Sequence, residues 1–212
     1  MGHEEILILF QISTCTGFSA MEQANTKHHS GYAATGCVLC LCARHECIQP
    51  NRVSDLQVGE RYVHFNDTEG NTMLNVCRYA NTDYMLASVL KHHDDQLTKV
   101  LSYDICCQYH INLPTRLSKL PASLAVGFEH SLWKFAIPKL HIAGHRYYCQ
   151  ITFSFTFMLG GGNTDGEGVE RHWASLGPIG SSTREMGPGN RHDTIDDHLG
   201  NWNSKKNLGL GT

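Results

Sequence analysis

Between Gly160 and Trp202 the chain reads GGGNTDGEGVERHWASLGPIGSSTREMGPGNRHDTIDDHLGNW, and this stretch constrains the rest. It collects Asp165, Glu167, Glu170, Glu185, Asp193, Asp196 and Asp197 together with His172, His192 and His198, whereas acids elsewhere are scattered. Gly160, Gly161 and Gly162 cannot propagate a helix cheaply. The segment from Asp165 to Ala174 can start one, because acids in a first turn suit the positive end of the helix dipole. Glu167 and Glu170 are three apart and share a face, and Trp173 is placed to anchor that face to a core. Carboxylates held on a rigid helix beside a glycine-rich turn suit a divalent-metal phosphoryl-transfer site. An ordinary acidic first turn gives the same pattern.

A chain of 212 residues is long enough for one domain with a real core. Its net charge of −3 is unusual for a free-standing DNA binder, so affinity for nucleic acid has to come from local patches or from parts absent here. Nine cysteines, two of them adjacent (Cys106 and Cys107), make a poor disulfide framework. Glu4 and Glu5 stand where a secretory signal would be basic, and the thiols are read as reduced, in cytosol or nucleus. No run approaches the roughly 20 apolar residues of a membrane helix.

Along the chain, Tyr32 to Cys42 is an apolar run suited to a buried strand. Cys37 and Cys40, with Cys42, His45 and Cys47 behind them, invite a zinc reading, but cysteine is equally at home in a plain core. Ile48 to Tyr62, with Pro50 and Asn51, reads as a turn-rich connector. Val63 to Tyr79 is polar and without helical or alternating period, so it is expected to loop out. Asn81 to Lys91 reads as a helix, and Lys99 to Tyr103 as a strand ending at Asp104. The residues Ile105 to Arg116 suit a helix broken near Pro114. Leu117 to Ala136 reads as helical and connective, and Pro138 to Ile142 as the next strand. His141, His145 and Cys149 fall at steps of four, the spacing of zinc ligands on one helix face. Pro138 and Gly144 argue against a continuous helix there, which favours histidines with purely local partners. Ile151 to Phe157 alternates like a short strand, with a helical approach to the glycine turn as the alternative. Thr194 to Lys206 reads as a helix with Ile195, Leu199 and Trp202 on its inner face.

Several blocks carry a resemblance. TDGEGVERHWA and STREMGPGNRHDTIDDHLGNWN look like the C-terminal signature of the Kyakuja-Dileera-Zisupton (KDZ) transposases common in mushroom-forming fungi. FSAMEQANTKHHSGYAATG, CARHE with DLQVGERY, and SYDICCQ agree as well, in the family's order, and KLHIAGH matches more loosely. The resemblance runs from Cys15 to the end of the chain. Met1 to Thr14 stay unassigned. Deleting residues 63–79 restores the family's join between Arg61-Tyr62 and Ala80-Asn81, so that segment reads as a retained intron, or else as a tolerated surface insertion.

The resemblance implies an α/β fold: a ribonuclease-H-like core of the DDE type with C-terminal helices. Three carboxylates there hold Mg²⁺ or Mn²⁺ for DNA cleavage and strand transfer, two metals about 4 Å apart clamping the attacking and leaving oxygens. Carried over by residue, Asp104 is the second acid and Glu167 the third, with Glu170 as the alternative third. Asp104 taken alone would be a helix N-cap. The family's first acid lies upstream of anything resembling Cys15, and Met1 to Thr14 match no such strand, so the chain is expected to be a C-terminal part, inactive by itself. DNA, as transposon ends, is the implied partner, and the nucleus the implied place of action. A non-catalytic binding module on the same scaffold and a zinc-stabilised domain are the other readings.

Overall fold

The computed structural model describes residues 4–11, 34, 36–56 and 79–210. Residues 57–78, which contain most of the expected insertion at 63–79, lie outside them, as do residues 12–33. Tyr79, the last residue of that expected insertion, is buried in the core.

Five strands form one mixed sheet: β1 (Glu4–Gln11), β2 (Gly36–Cys42), β3 (Ile48–Leu56), β4 (Thr98–Ser102) and β5 (Trp133–Ala136). Their order is β3-β2-β1-β4-β5. The pairs β1–β2 and β2–β3 are antiparallel, while β4 runs parallel to both β1 and β5. Strand alternation sends successive side chains to opposite faces, so the sheet feeds two cores. On one face Val38, Cys40, Leu101 and Tyr103 pack under α1 (Ala80–Leu90), α2 (Cys106–Tyr109) and α3 (Leu113–Leu117). On the other, Leu39, Leu41, Val100 and Ala136 pack under α5 (Gly168–Thr183) and α6 (Pro188–Gly209). Between β5 and α5 lie short helical turns and α4 (Tyr147–Thr152). No helix among the described residues is long and apolar enough to cross a membrane.

The strand at Gly36–Cys42, helix α1, strand β4 and helix α6 fall where the sequence places them. Five stretches do not. Ile48–Leu56 is an edge strand rather than a connector. Pro50 is tolerated because edge strands and bulges spare its missing N–H, and the β2–β3 register does shift between Leu39 and Leu41. The residues 117–136 form two 3₁₀ turns and then β5, not a helix. The strand expected at Pro138 to Ile142 lies earlier, at Trp133–Ala136, and Pro138 begins a turn whose carbonyl accepts from the His141 and Ile142 amides. From residue 151, α4 ends and only Ser154 bridges to Ile137, so the helical approach prevails over a strand. Pro114 opens α3 rather than breaking a longer helix.

One buried ion pair ties the first helical layer together. Arg116 Nε donates to Asp83 Oδ2 at 2.7 Å, and Tyr109 Oη donates to Asp83 Oδ1 at 2.7 Å. The guanidinium also lies over the Tyr79 and Tyr109 rings, 4.8 and 4.6 Å from their centroids. Removing one partner strands the other charge in the interior. Arg116→Ala is therefore expected to cost about 3–5 kcal/mol. Replacing both partners at once, Asp83→Leu with Arg116→Met, should cost less than Arg116→Ala alone, as read by urea denaturation. Equal or greater loss in the double variant would contradict this role.

Candidate functional site

The segment Asp165-Gly166-Glu167-Gly168 is built for close approach to the sheet. Gly166 has φ +81°, and a Cβ there would stand 2.8 Å from Phe155 Cε2 and 3.1 Å from both Pro138 Cα and Ser102 Oγ. A Cβ on Gly168 would meet Glu46 Cγ at 3.1 Å and Leu41 Cδ1 at 3.2 Å. Gly166 admits only hydrogen, and a Cβ at Gly168 would press on its neighbours. Asp165 Oδ1 accepts from the Glu167 amide at 2.9 Å, which fixes the turn into α5.

This packing carries Glu167 to the C-terminal end of β4, where Asp104 follows the strand by two residues. Glu167 is 5 % exposed; its Oε1 accepts from the Leu140 amide at 2.8 Å, and its Oε2 has no hydrogen-bond partner. His141 lies between the acids, with Nδ1 3.6 Å from Glu167 Oε2 and Nε2 3.6 Å from Glu170 Oε1. The structure thus brings Asp104, Glu167, Glu170 and His141 together. Burial pushes the Asp104 carboxyl up to about 6, against the opposing charge of His141. Glu170 is raised by burial as well. His141 is raised, chiefly by its bond with Glu167 and then, against burial, by the charges of Glu167, Asp104 and Glu170.

The backbone register of β1 puts neither of its acids level with this group. The parallel register sets Glu4 and Glu5 opposite Thr98 and Lys99, and Ile8 opposite Ser102. Two residues on, Phe10 falls level with Asp104. Glu4 and Glu5 therefore lie at the far end of the strand, roughly 17–20 Å away at about 3.3 Å per residue.

The remaining matched blocks meet in pairs. Glu46 accepts from Arg171 Nε at 2.6 Å and pairs with Lys206 through its other oxygen. Burial would raise the Glu46 carboxyl, but the bonds from Lys206 and Arg171 outweigh it and hold it low. Arg171 also reaches Asp165 at 2.9 Å, so it serves α5 and the CARHE turn rather than standing free for a phosphate. Arg191 Nη2 donates to Asp55 Oδ1 at 2.9 Å, joining β3 to α6. Trp202 donates to the Glu46 carbonyl and stacks edge-on against His172, as a core residue would. His172 is fully buried without a hydrogen-bond partner for either ring nitrogen, and burial lowers it to about 4. Glu185, Asp193, Asp196 and Asp197 are exposed.

The cysteine and histidine readings resolve separately. Cys37 and Cys40 are both buried, an odd number of residues apart on one strand, hence on opposite faces. Burial pushes each thiol up to about 12, and they share no site. His141, His145 and Cys149 are not on one helix: a 3₁₀ turn holds Ile142–Gly144, and α4 begins at Tyr147. His141 goes to the acids. His145 and Cys149 instead meet Cys107, with one donor atom from each residue within 4.8 Å of the others. Cys107 was missed as a ligand, although the Cys106-Cys107 pair carried the signal: a helix cannot turn two adjacent side chains to the same neighbour.

A mixed α/β sheet with acids gathered beyond the end of a parallel strand is the kind of scaffold on which open sheets place their chemistry. The family model described as Kyakuja-Dileera-Zisupton transposase matches residues 3–203, and the chain belongs to that family. No curated protein and no solved structure matches it.

The raised Asp104 carboxyl has a consequence for stability. A folded-state value near 6 against an ordinary value of 3.8 means that the folded protein holds this proton more tightly than the unfolded chain does. Its contribution is therefore lost as pH rises from about 4 to about 6 and stays lost above. Asp104→Asn removes that penalty. In metal-free buffer it should stabilise the protein by about 1–3 kcal/mol at pH 7.5 and by almost nothing at pH 4. Destabilisation at both pH values would mean that Asp104 is only a structural cap.

Proposed function

We propose that this protein carries the acidic half of a DDE-type, ribonuclease-H-like transposase site and that its chemistry is directed at DNA phosphodiesters. The observation that carries the reading is the convergence of Asp104, Glu167 and Glu170 on His141 beyond the end of β4. Three antiparallel strands continued by two parallel ones, with helices on both faces, are compatible with such a core.

The donor set fits one hard divalent cation. Buried Glu167 presents an oxygen with no hydrogen-bond partner, and Asp104 and Glu170 supply further carboxylate oxygens, the ligands that Mg²⁺ and Mn²⁺ prefer. Asp104 and Glu167 would hold the ion, with Glu170 as the alternative or additional ligand. Such an ion, when bound, activates the attacking oxygen and stabilises the leaving one. His141 faces both glutamates, whose proximity favours its protonated form. Leu140 N fixes the other oxygen of Glu167, so only one faces the acids.

Continuing the β1–β4 register two residues past Ile8 and Ser102 brings Phe10, not an acid, level with Asp104, so β1 supplies no third support for a two-metal arrangement among the described residues. We therefore read the chain as catalytically silent by itself. DNA is the partner this reading requires, and the nucleus the compartment. Exposed Tyr147 and Tyr148 follow Arg146 at the start of α4, in the same connection as His141. Exposed aromatics beside a cation suit stacking on unpaired bases.

Mn²⁺ titration followed by electron paramagnetic resonance should show one bound ion per chain, lost in Asp104→Asn and Glu167→Gln. Supercoiled plasmid incubated with the protein and Mn²⁺ should stay uncut. Absence of Mn²⁺ binding would remove the acid site. Nicking that Asp104→Asn abolishes would overturn the silent reading.

A further inference from the structure

Adjacent cysteines at the start of α2 face different ways. Cys106 is fully buried in the core, its thiol donating to the Leu101 carbonyl at 3.6 Å. Cys107 is half-buried and looks across to the connection before α4, where its sulfur lies 3.6 Å from His145 Nδ1. Cys149, one turn further along that connection, completes the group, and all three donor atoms fall within 4.8 Å of one another.

We propose that Cys107, His145 and Cys149 bind a zinc ion, independently of the carboxylate site. Two thiolates and an imidazole are the soft and borderline donors that zinc selects, while the carboxylates beyond β4 are hard. The spacing agrees. A tetrahedral ion with Zn–S near 2.3 Å and Zn–N near 2.05 Å holds sulfur and nitrogen about 3.5 Å apart, against the 3.6 Å found between Cys107 and His145. Three protein donors leave one tetrahedral position for water. On binding, each cysteine gives up its thiol proton to solvent, and no electron changes hands.

The ion would sit beside the acids without sharing a ligand with them. Cys107 lies three residues beyond Asp104, and His145 also hydrogen-bonds the Asp104 backbone. His145 lies four residues beyond His141. A cross-link between α2 and residues 145–149 thereby pins both segments that carry the acid site: the chain just after β4 and the turn bearing His141. Otherwise those segments meet only through the partly buried Ile105 and Ile142, which pack against the same core. The 142–144 turn has no buried residue and α4 has none, so apolar burial alone holds this connection weakly.

The test is metal analysis of the full chain produced with zinc in the medium and dialysed against metal-free buffer. About one zinc per chain is expected, falling at least tenfold in Cys149→Ser and in His145→Ala. Cys106→Ala and Cys40→Ala, which alter core thiols, should keep the metal. The Co²⁺-substituted protein should show thiolate-to-cobalt charge transfer that is lost in Cys149→Ser. If that variant fails to fold, Cys149→His retains a ligand and should retain zinc. The proposal is overturned if the parent chain holds no zinc, if zinc survives in Cys149→Ser, or if Cys107 and Cys149 are recovered as a disulfide. Loss of the Mn²⁺ site in Asp104→Asn leaves the zinc content unchanged, so the two sites fail separately.

Discussion

The approach of Gly166 and Gly168 to the sheet is the contact on which the candidate site depends. A Cβ at Gly166 would clash with Phe155 and crowd Pro138 and Ser102, and one at Gly168 would press on the side chains of Glu46 and Leu41. Because the backbone descends this far, the glutamate between them is buried at the end of β4 instead of lying on the helix surface. The rest follows from it. Asp165 and Arg171 brace the descent from either side, and Glu46 locks Arg171 and Lys206 to the turn after β2. Three acids, two cations and two glycines from distant parts of the chain thus serve one placement.

That placement is costly in the way functional sites are. Burial, helped to a smaller degree by the neighbouring acids, pushes the proton affinity of Asp104 and Glu170 up, and the histidine between them offsets only part of it. A purely structural cluster of this kind would be expected to resolve into closed ion pairs. The Asp83–Arg116 pair under α1 is such a closed pair, satisfied on both carboxylate oxygens. Glu167 Oε2 has no hydrogen bond and only a loose, 3.6 Å approach to His141 Nδ1, and that contrast separates a site held open from a strut.

Much of this was legible in the sequence because it rests on local pattern. The apolar run ending at Cys42, the strand ending at Asp104, and the i, i+3 pair Glu167 and Glu170 each declare themselves within a few residues. The glycines of the DGEG segment were visible as residues but not as contacts, since what they meet comes from β2, β4 and residue 155. Strand β3 was illegible for a similar reason. Pro50 and Asn51 read as a turn, and only the edge position and the irregular β2–β3 register make them part of a strand. Strand β5 was hidden in a stretch whose composition favours neither state. His141 and His145 looked like a matched pair, yet a 3₁₀ turn sends one to the carboxylates and the other to the thiols.

The central claim is that the acids beyond β4 form an ion-holding site although β1 brings no acid to them. Anomalous diffraction from a crystal of the chain soaked in Mn²⁺, with data collected at the manganese edge, tests it most directly. The account predicts one strong peak within ligand distance of Glu167 Oε2 and an Asp104 oxygen, with His141 turned away from it. A peak only at exposed acids such as Asp196 and Asp197, or none at all with His141 still between the glutamates, would contradict it.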